Sequence, residues 1–252
     1  MKITIGHLYP DLLNLYGDRG NIQCMLKRCE WRGIEAEVIN FESDDEIDFS
    51  KLDIILLGGG SDREQMLVCE KLKKIKKEFK EYVEDNGVVI AICGGYQLMG
   101  NFYDTENGRI EGLGIIDLET TRSKEYRLID NIVLESDLFT MPVVGFENHA
   151  GRTNIKNNKP FGKVIYGSGN DGKSGYEGVV YKNVIGTYLH GPLFPKNPEV
   201  CDYLIQKALE KKYKEKIVLK ELDDTEEKEA NAYIYNRFKG KVSRPQDQEQ
   251  LV

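Results

Sequence analysis

The chain has 252 residues, of which 40% are hydrophobic and 31% charged, and a formal net charge of −7. That balance excludes wholesale disorder, argues against a nucleic-acid module and leaves room for a full core in one domain or two. The five cysteines (Cys24, Cys29, Cys69, Cys93, Cys201) form no Cys-x-x-Cys pair, and an odd number in a chain this long points to a reduced, cytoplasmic setting. The opening MKITIGHLYPDLLNLYG has too short an apolar run for a signal peptide, and no window approaches the roughly 20 apolar residues that span a bilayer.

In chain order, Ile3–Leu8 reads as a strand, followed by a polar turn with Gly17, Asp18 and Gly20. A helix is expected over 21–32 and a second strand over Ala36–Phe41. After the acidic loop Glu42–Asp48, the run from Asp53 to Gly58 has the unbroken apolar character of a buried parallel strand. Val68, Leu72, Ile75, Phe79 and Val83 recur at steps of three and four, which places them on one face of a helix ended by Asn86-Gly87. Val88–Ile92 is the next buried strand. This alternation predicts an α/β, three-layer fold with a mostly parallel central sheet. From about Gly114 to Leu189 the chain is richer in strands, with Ile132–Leu134, Val143–Phe146, Lys163–Tyr166 and Val179–Tyr181, read as the distal part of the same domain. Residues 200–212 return to a helical pattern. The domain is therefore placed at 1–212, with a C-terminal extension over 213–252: an acidic segment (Glu221–Glu229), a short helix and a polar end, Ser243–Val252.

The stretch Val88-Val-Ile-Ala-Ile-Cys93-Gly94-Gly95-Tyr96-Gln97 carries the most chemistry. A buried strand runs directly into a cysteine, then two glycines, then residues able to start a helix, which is the layout of a nucleophile elbow. The glycines permit unusual dihedrals and close approach of substrate. A helix start just beyond the sulfur favours negative charge there, and the amide of Gly94 points where an oxyanion would form. The other four cysteines lie in helical patterns and read as small buried hydrophobes. A second glycine cluster, Gly58-Gly59-Gly60, also follows a buried strand. In a parallel sheet it lies at the same edge as Cys93, so Gly59 and Gly60 are candidates for a second oxyanion amide; an ordinary strand-to-helix turn is the other reading.

A thiolate nucleophile needs a proton shuttle, and the chain has three histidines. His7 sits inside the first strand and is assigned to local structure. His149, in the polar turn expected over Gly145–Arg152, is either structural or lines a site. His190, in Gly186-Thr-Tyr-Leu-His190-Gly-Pro192, falls at the carboxyl end of a short strand and is the best placed base.

Together the Gly58–Gly60 loop, the Cys93–Gln97 elbow and Thr187-Tyr-Leu-His190-Gly191 resemble class I glutamine amidotransferases of the cobyric acid synthase type. The likeness extends to Leu15-Tyr-Gly-Asp-Arg-Gly-Asn-Ile22, Gly58-Gly-Gly-Ser-Asp-Arg-Glu-Gln65 and Val144-Gly-Phe-Glu-Asn-His149. Within that family these stretches are similar to the glutaminase subunits of lipid II isoglutaminyl synthases. The resemblance implies a Cys93–His190 glutaminase acting on L-glutamine, with Arg127 binding the substrate carboxylate. It also implies a MurT-type, Mur-ligase-like partner that amidates D-glutamate in the lipid II stem peptide, with ATP and metal on that partner and no cofactor in this chain. One departure stands out. Many relatives carry a glutamate two residues after the histidine, where this chain has Pro192. Either a Cys–His dyad suffices or another residue, for preference from the partner, orients the imidazole.

Gly167-Ser-Gly-Asn-Asp-Gly172-Lys173-Ser174 matches the pattern GxxxxGK[ST], but the residues after it are glycine-broken and β-like, so a hairpin turn is expected rather than a phosphate loop. Three rival functions remain: a glutaminase for a corrinoid acceptor, a silent scaffold subunit and a cysteine peptidase. Corrinoid enzymes usually carry their synthetase on the same chain, for which 252 residues leave no room. The pairing of Cys93 with His190 argues against a scaffold. No cysteine or histidine spacing suggests a metal site.

Overall fold

The computed structural model describes residues 1–13, 19–124 and 126–241. The expected turn residues Gly17 and Asp18, the Leu15–Asp18 part of the first motif and the polar end at 243–252 lie outside the described residues.

Six strands form the central sheet in the order β13-β14-β4-β3-β1-β2. Four of them come from the first hundred residues: β1 (Lys2–Leu8), β2 (Glu35–Phe41), β3 (Ile54–Leu57) and β4 (Val88–Ile92). They pair in parallel, and β14 (Val184–Thr187) extends them in parallel beside β4. Only β13 (Val179–Tyr181), at the edge, runs antiparallel. Every residue of β3 and β4 is buried, as expected for strands covered on both faces. Each aliphatic side chain so enclosed contributes roughly 1.5–3 kcal/mol relative to exposure. Helices α1 (Arg19–Glu30), α2 (Asp62–Lys74), α3 (Lys76–Glu84) and α5 (Pro198–Tyr213) flank the sheet.

The single helix expected through Val83 is two. Ile75, at φ −111° and ψ 13°, leaves the helical region, and its N–H turns back to the Leu72 carbonyl at 3.1 Å, closing the last turn tightly. Val68, Leu72, Phe79 and Val83 are nevertheless all buried. The periodicity therefore marked the inner face correctly while hiding the break, beyond which Phe79 stacks on Phe49 at 5.3 Å.

The middle of the chain builds two further sheets of four strands each. One has the order β10-β7-β5-β6 and the other β12-β11-β8-β9. The expected strands of this region appear as β8 (Leu128–Glu135), β9 (Val143–His149) and β11 (Gly162–Tyr166). Five more were not anticipated: β5 (Phe102–Thr105), β6 (Gly108–Glu111), β7 (Glu119–Arg122), β10 (Gly151–Asn154) and β12 (Tyr176–Glu177). They are short, and β6 buries one side chain of four, so they lack an apolar signature. His149 closes β9 instead of sitting in a turn.

Beyond α5, helix α6 (Thr225–Phe238) begins inside the acidic segment. Glu226 and Glu227 occupy its first turn, where negative charge opposes the helix dipole favourably. Asn231 donates to the carbonyls of Pro142 and Lys196 at 2.8 and 2.9 Å, and Phe238 packs on Tyr166 at 4.5 Å between ring centres. Among the described residues, no helix is long and apolar enough to cross a membrane.

Candidate active site

At the end of β4, Cys93 adopts φ 51° and ψ −104°. A non-glycine residue held there costs about 1–3 kcal/mol and persists only when its surroundings enforce it. The enforcement is visible. The N–H of Cys93 donates to the Thr187 carbonyl at 2.8 Å, and the N–H of Gly95 donates to the Gly58 carbonyl at 3.0 Å. Residues Gly94–Leu98 then form the short helix α4. A Cβ on Gly95 would sit 2.5 Å from the Leu57 carbonyl oxygen and 2.9 Å from that of Gly58, so only glycine lets the elbow lie directly on β3. Gly95→Ala is expected to cost about 1–3 kcal/mol through overpacking and to lower activity by at least tenfold, read by thermal melting and ammonia release.

Three separate sequence stretches converge here. A Cβ built on Gly59 would lie 3.1 Å from Cβ of Cys93 and 3.4 Å from Cε1 of His190. The loop after β3, the elbow after β4 and the histidine after β14 therefore meet at one point, at the carboxyl edge of three adjacent parallel strands. The structure thus brings the three candidate positions Cys93, Gly59 and His190 together. A side chain on Gly59 would crowd both Cβ of Cys93 and the His190 ring. Gly60 is equally confined, with its Cβ position 2.7 Å from Leu13 Cδ2. His190 lies beyond the end of β14, where its backbone bridges Phe146 of β9, N–H to carbonyl at 2.8 Å and the reverse at 3.3 Å. Cys93 is 8% exposed and His190 1%, so the site is nearly enclosed.

Buried Gln65 braces this centre. Its Nε2 donates to the Gly60 carbonyl at 3.0 Å, and its side chain covers Gly94 so closely that a Cβ there would fall 2.7 Å from Nε2. One side chain thus spans both glycine segments that were expected to supply oxyanion amides. Arg127 is exposed and holds Asn148, donating from Nε to its side-chain oxygen at 2.9 Å and from Nη2 to its carbonyl at 3.0 Å. That places it two residues along β9 from the Phe146–His190 bridge.

His149 belongs to the core. Its ring stacks on Tyr188 at 3.6 Å and 2°, its Nδ1 lies 2.9 Å from the Gly151 carbonyl, and burial holds its pKa below the ordinary imidazole value. The Gly167–Ser174 segment links β11 to β12 as a hairpin, as expected. Carboxyl groups already fill its amides: Glu147 accepts from Ser168 and Gly169 at 2.6 and 2.9 Å, and Asp171 accepts from Lys173 and Ser174 at 2.9 and 2.8 Å. A cleft of about 1280 Å³ beside this hairpin is lined by Arg122, Arg152, Lys163 and Asp171 among others, and by neither Cys93 nor His190.

Two wholly buried acids, Glu147 and Glu177, escaped the sequence reading. The available signal was a glutamate set within an apolar, strand-like stretch, in Val144-Gly-Phe-Glu147 and in Glu177-Gly-Val-Val180, where a charge requires partners.

A buried cysteine elbow, a facing histidine and glycine amides at the edge of a parallel sheet define the class I amidotransferase architecture. The CobB/CobQ-like glutamine amidotransferase domain matches residues 4–198, and the chain belongs to this family of enzymes. The chain is 48% identical over 212 residues to subunit GatD of the glutamine-hydrolysing lipid II isoglutaminyl synthase of Staphylococcus aureus (strain N315), covering 84% of this chain and 86% of that one. It is 40% identical over 225 residues to the GatD subunit of Streptococcus pneumoniae (strain ATCC BAA-255 / R6), covering 88% and 86%. Among solved structures, a glutamine amidotransferase from Thermotoga maritima superposes with a TM-score of 0.52 at 14% identity, covering 92% of this chain and 94% of that one, a likeness of fold.

Proposed function

We propose that this chain is the cytoplasmic glutaminase subunit of a lipid II isoglutaminyl synthase, hydrolysing L-glutamine at Cys93 and His190. The ammonia passes to a MurT-type, Mur-ligase-like subunit, which uses ATP to amidate the α-carboxyl of D-glutamate in the lipid II stem peptide to D-isoglutamine. The observation that carries this reading is the position of Gly59 against both Cys93 and His190. The names of the relatives supply the acceptor. ATP and metal belong to the partner in this account, and the chain itself works without a cofactor.

The chemistry is acyl transfer. The Cys93 sulfur attacks the side-chain carboxamide carbon, and the oxyanion is received by the amides of Gly94 and of Gly59 or Gly60. His190 protonates the departing nitrogen, the C–N bond breaks, and a γ-glutamyl thioester and ammonia result. Water then attacks the thioester while His190 takes its proton; glutamate leaves and the thiol is restored. Arg127 grips the substrate α-carboxylate with its guanidinium fork. Because that contact is equal in the ground and transition states, Arg127→Ala should raise KM for glutamine by tenfold or more with kcat little changed. Steady-state kinetics over a glutamine series would show it, and an unchanged KM would remove Arg127 from the site.

With Pro192 in place of an acid, the acid that would contact the His190 ring is assigned to the partner. The test is ammonia and glutamate release from L-glutamine by the chain alone and mixed with a MurT-type subunit. Release that rises with the partner supports the shared site. Full turnover by the isolated chain would overturn the partner's role in orienting His190, and no release under either condition would overturn the glutaminase reading.

A further inference from the structure

Glu177 is 0% exposed, and both of its carboxyl oxygens are engaged by consecutive residues of one segment. The N–H of Tyr188 donates to Oε1 at 2.7 Å, and the hydroxyl of Thr187 donates to Oε2 at 3.0 Å. β14 ends at Thr187, so Tyr188 is the first residue past the ladder, where a buried N–H needs another acceptor. The same segment links the two halves of the candidate site. The carbonyl of Thr187 receives the N–H of Cys93 at 2.8 Å, its hydroxyl oxygen receives the N–H of Leu189 at 3.1 Å, and His190 follows directly. The ring of Tyr188 is fixed as well: Gln97 of α4 donates to its hydroxyl at 3.1 Å, and Thr153 lies 2.6 Å away.

We propose that Glu177 is a positioning residue for glutamine hydrolysis: by clamping Thr187 and Tyr188 it fixes where the chain leaves the sheet, and so sets the His190 imidazole against the Cys93 sulfur. It acts through the backbone, from within this chain, where Pro192 offers no acid beside the imidazole. The inference rests on the Cys93–His190 reading of the site.

The protonation of Glu177 gives the clamp a signature. Burial pushes its carboxyl up to about 8, against the pull of the Tyr188 N–H and the Thr187 hydroxyl, with Glu147 adding to the rise. The titratable groups around it are Glu147 on β9, Tyr96 on α4 and Tyr188 after β14, on whose ring His149 is stacked. At neutral pH the clamp is therefore largely the protonated acid: Oε1 still accepts from the Tyr188 N–H, while the protonated Oε2 donates to the Thr187 hydroxyl oxygen where the carboxylate would accept from it, and a glutamine amide copies that pattern. The unfolded chain loses this proton near the ordinary carboxyl value of 4.5, and the folded chain holds it to about 8. Its contribution to stability is thus present in full below the unfolded value and falls as pH rises across that window. Glutamine has no proton to lose, so the variant gains on the wild type as pH rises from 5 to 8.

The test compares Glu177→Ala, Glu177→Gln and Cys93→Ala in the chain bound to its synthetase partner. Misplacing a catalytic group by about 1 Å costs on the order of 100-fold in rate. Glu177→Ala should accordingly lose about that much kcat for glutamine hydrolysis, with KM within a few-fold of wild type. Glu177→Gln should keep kcat within about fivefold at pH 7 and melt progressively higher than wild type between pH 5 and 8. An inactive Cys93→Ala beside a fully active Glu177→Ala would overturn the clamp alone, whereas an active Cys93→Ala would overturn the site reading beneath it. Should Glu177→Ala fail to fold, the glutamine variant decides: a kcat loss of 100-fold, or a melting difference that ignores pH, contradicts the proposal.

Discussion

Cys93→Ala should abolish glutamine-dependent ammonia release, by at least about a thousandfold, because no later step of acyl transfer exists without the thioester. The substitution removes a single sulfur atom from a residue 8% exposed, so the fold should persist, including the unusual φ of 51° that the Thr187 and Gly58 hydrogen bonds enforce. The variant therefore separates chemistry from architecture. It should still bind its synthetase partner, and the complex should still amidate its acceptor when ammonium is supplied in place of glutamine. Cys93→Ser should also fall far below wild type, since a hydroxyl is the weaker nucleophile. Ammonia release by Cys93→Ala above a tenth of the wild-type rate would remove Cys93 from the mechanism.

Arg28→Ala should produce the largest loss of stability among single changes away from the site. Arg28 is 1% exposed and forks onto two carboxyl groups. Its Nε and Nη2 donate to Asp202 of α5 at 2.6 and 2.7 Å, and its Nη1 and Nη2 donate to Asp224, just before α6, at 2.6 and 2.9 Å. Arg32 shares Asp202 at 2.6 Å, so the cluster sets two guanidinium groups against two acids. Removing one partner from such a buried group leaves acids poorly compensated, which costs about 3–5 kcal/mol. For a chain of this size that corresponds to a fall in Tm on the order of 10 °C, measurable by calorimetry. The pairing also fastens the C-terminal segment to α1 and α5, so the extension after residue 212 should become more protease-sensitive in the variant. A drop in Tm below about 2 °C would show that the cluster contributes little.

The sequence disclosed the site better than the frame around it. Val88–Ile92 running into Cys93-Gly94-Gly95 carried both the strand and the turn, because an elbow needs that order of residue types within a few positions. Parallel pairing then placed the Gly58–Gly60 loop beside Cys93 and the end of β14 near both, a consequence of topology that composition already implied. The two smaller sheets were less legible. Strands such as Gly108–Glu111 and Tyr176–Glu177 bury few side chains and depend on neighbours distant in sequence for their pairing. The break at Ile75 stayed hidden for a different reason: the buried face continues across it, so periodicity registers no change. Glu147, Glu177 and Gln65 could not be recognised as supports, since their roles lie in hydrogen bonds to residues far along the chain or to backbone that only the folded loop presents.

The measurement that tests the central claim most directly follows nitrogen from glutamine to product. The chain and a MurT-type subunit would be given ATP, lipid II and L-glutamine labelled with ¹⁵N in the side-chain amide, and the lipid II product analysed by mass spectrometry. The account predicts ¹⁵N in the D-isoglutamine amide, lost with Cys93→Ala and replaced by ¹⁴N when unlabelled ammonium rescues that variant. Unlabelled or unamidated product from the wild-type complex, or label that survives Cys93→Ala, would contradict it.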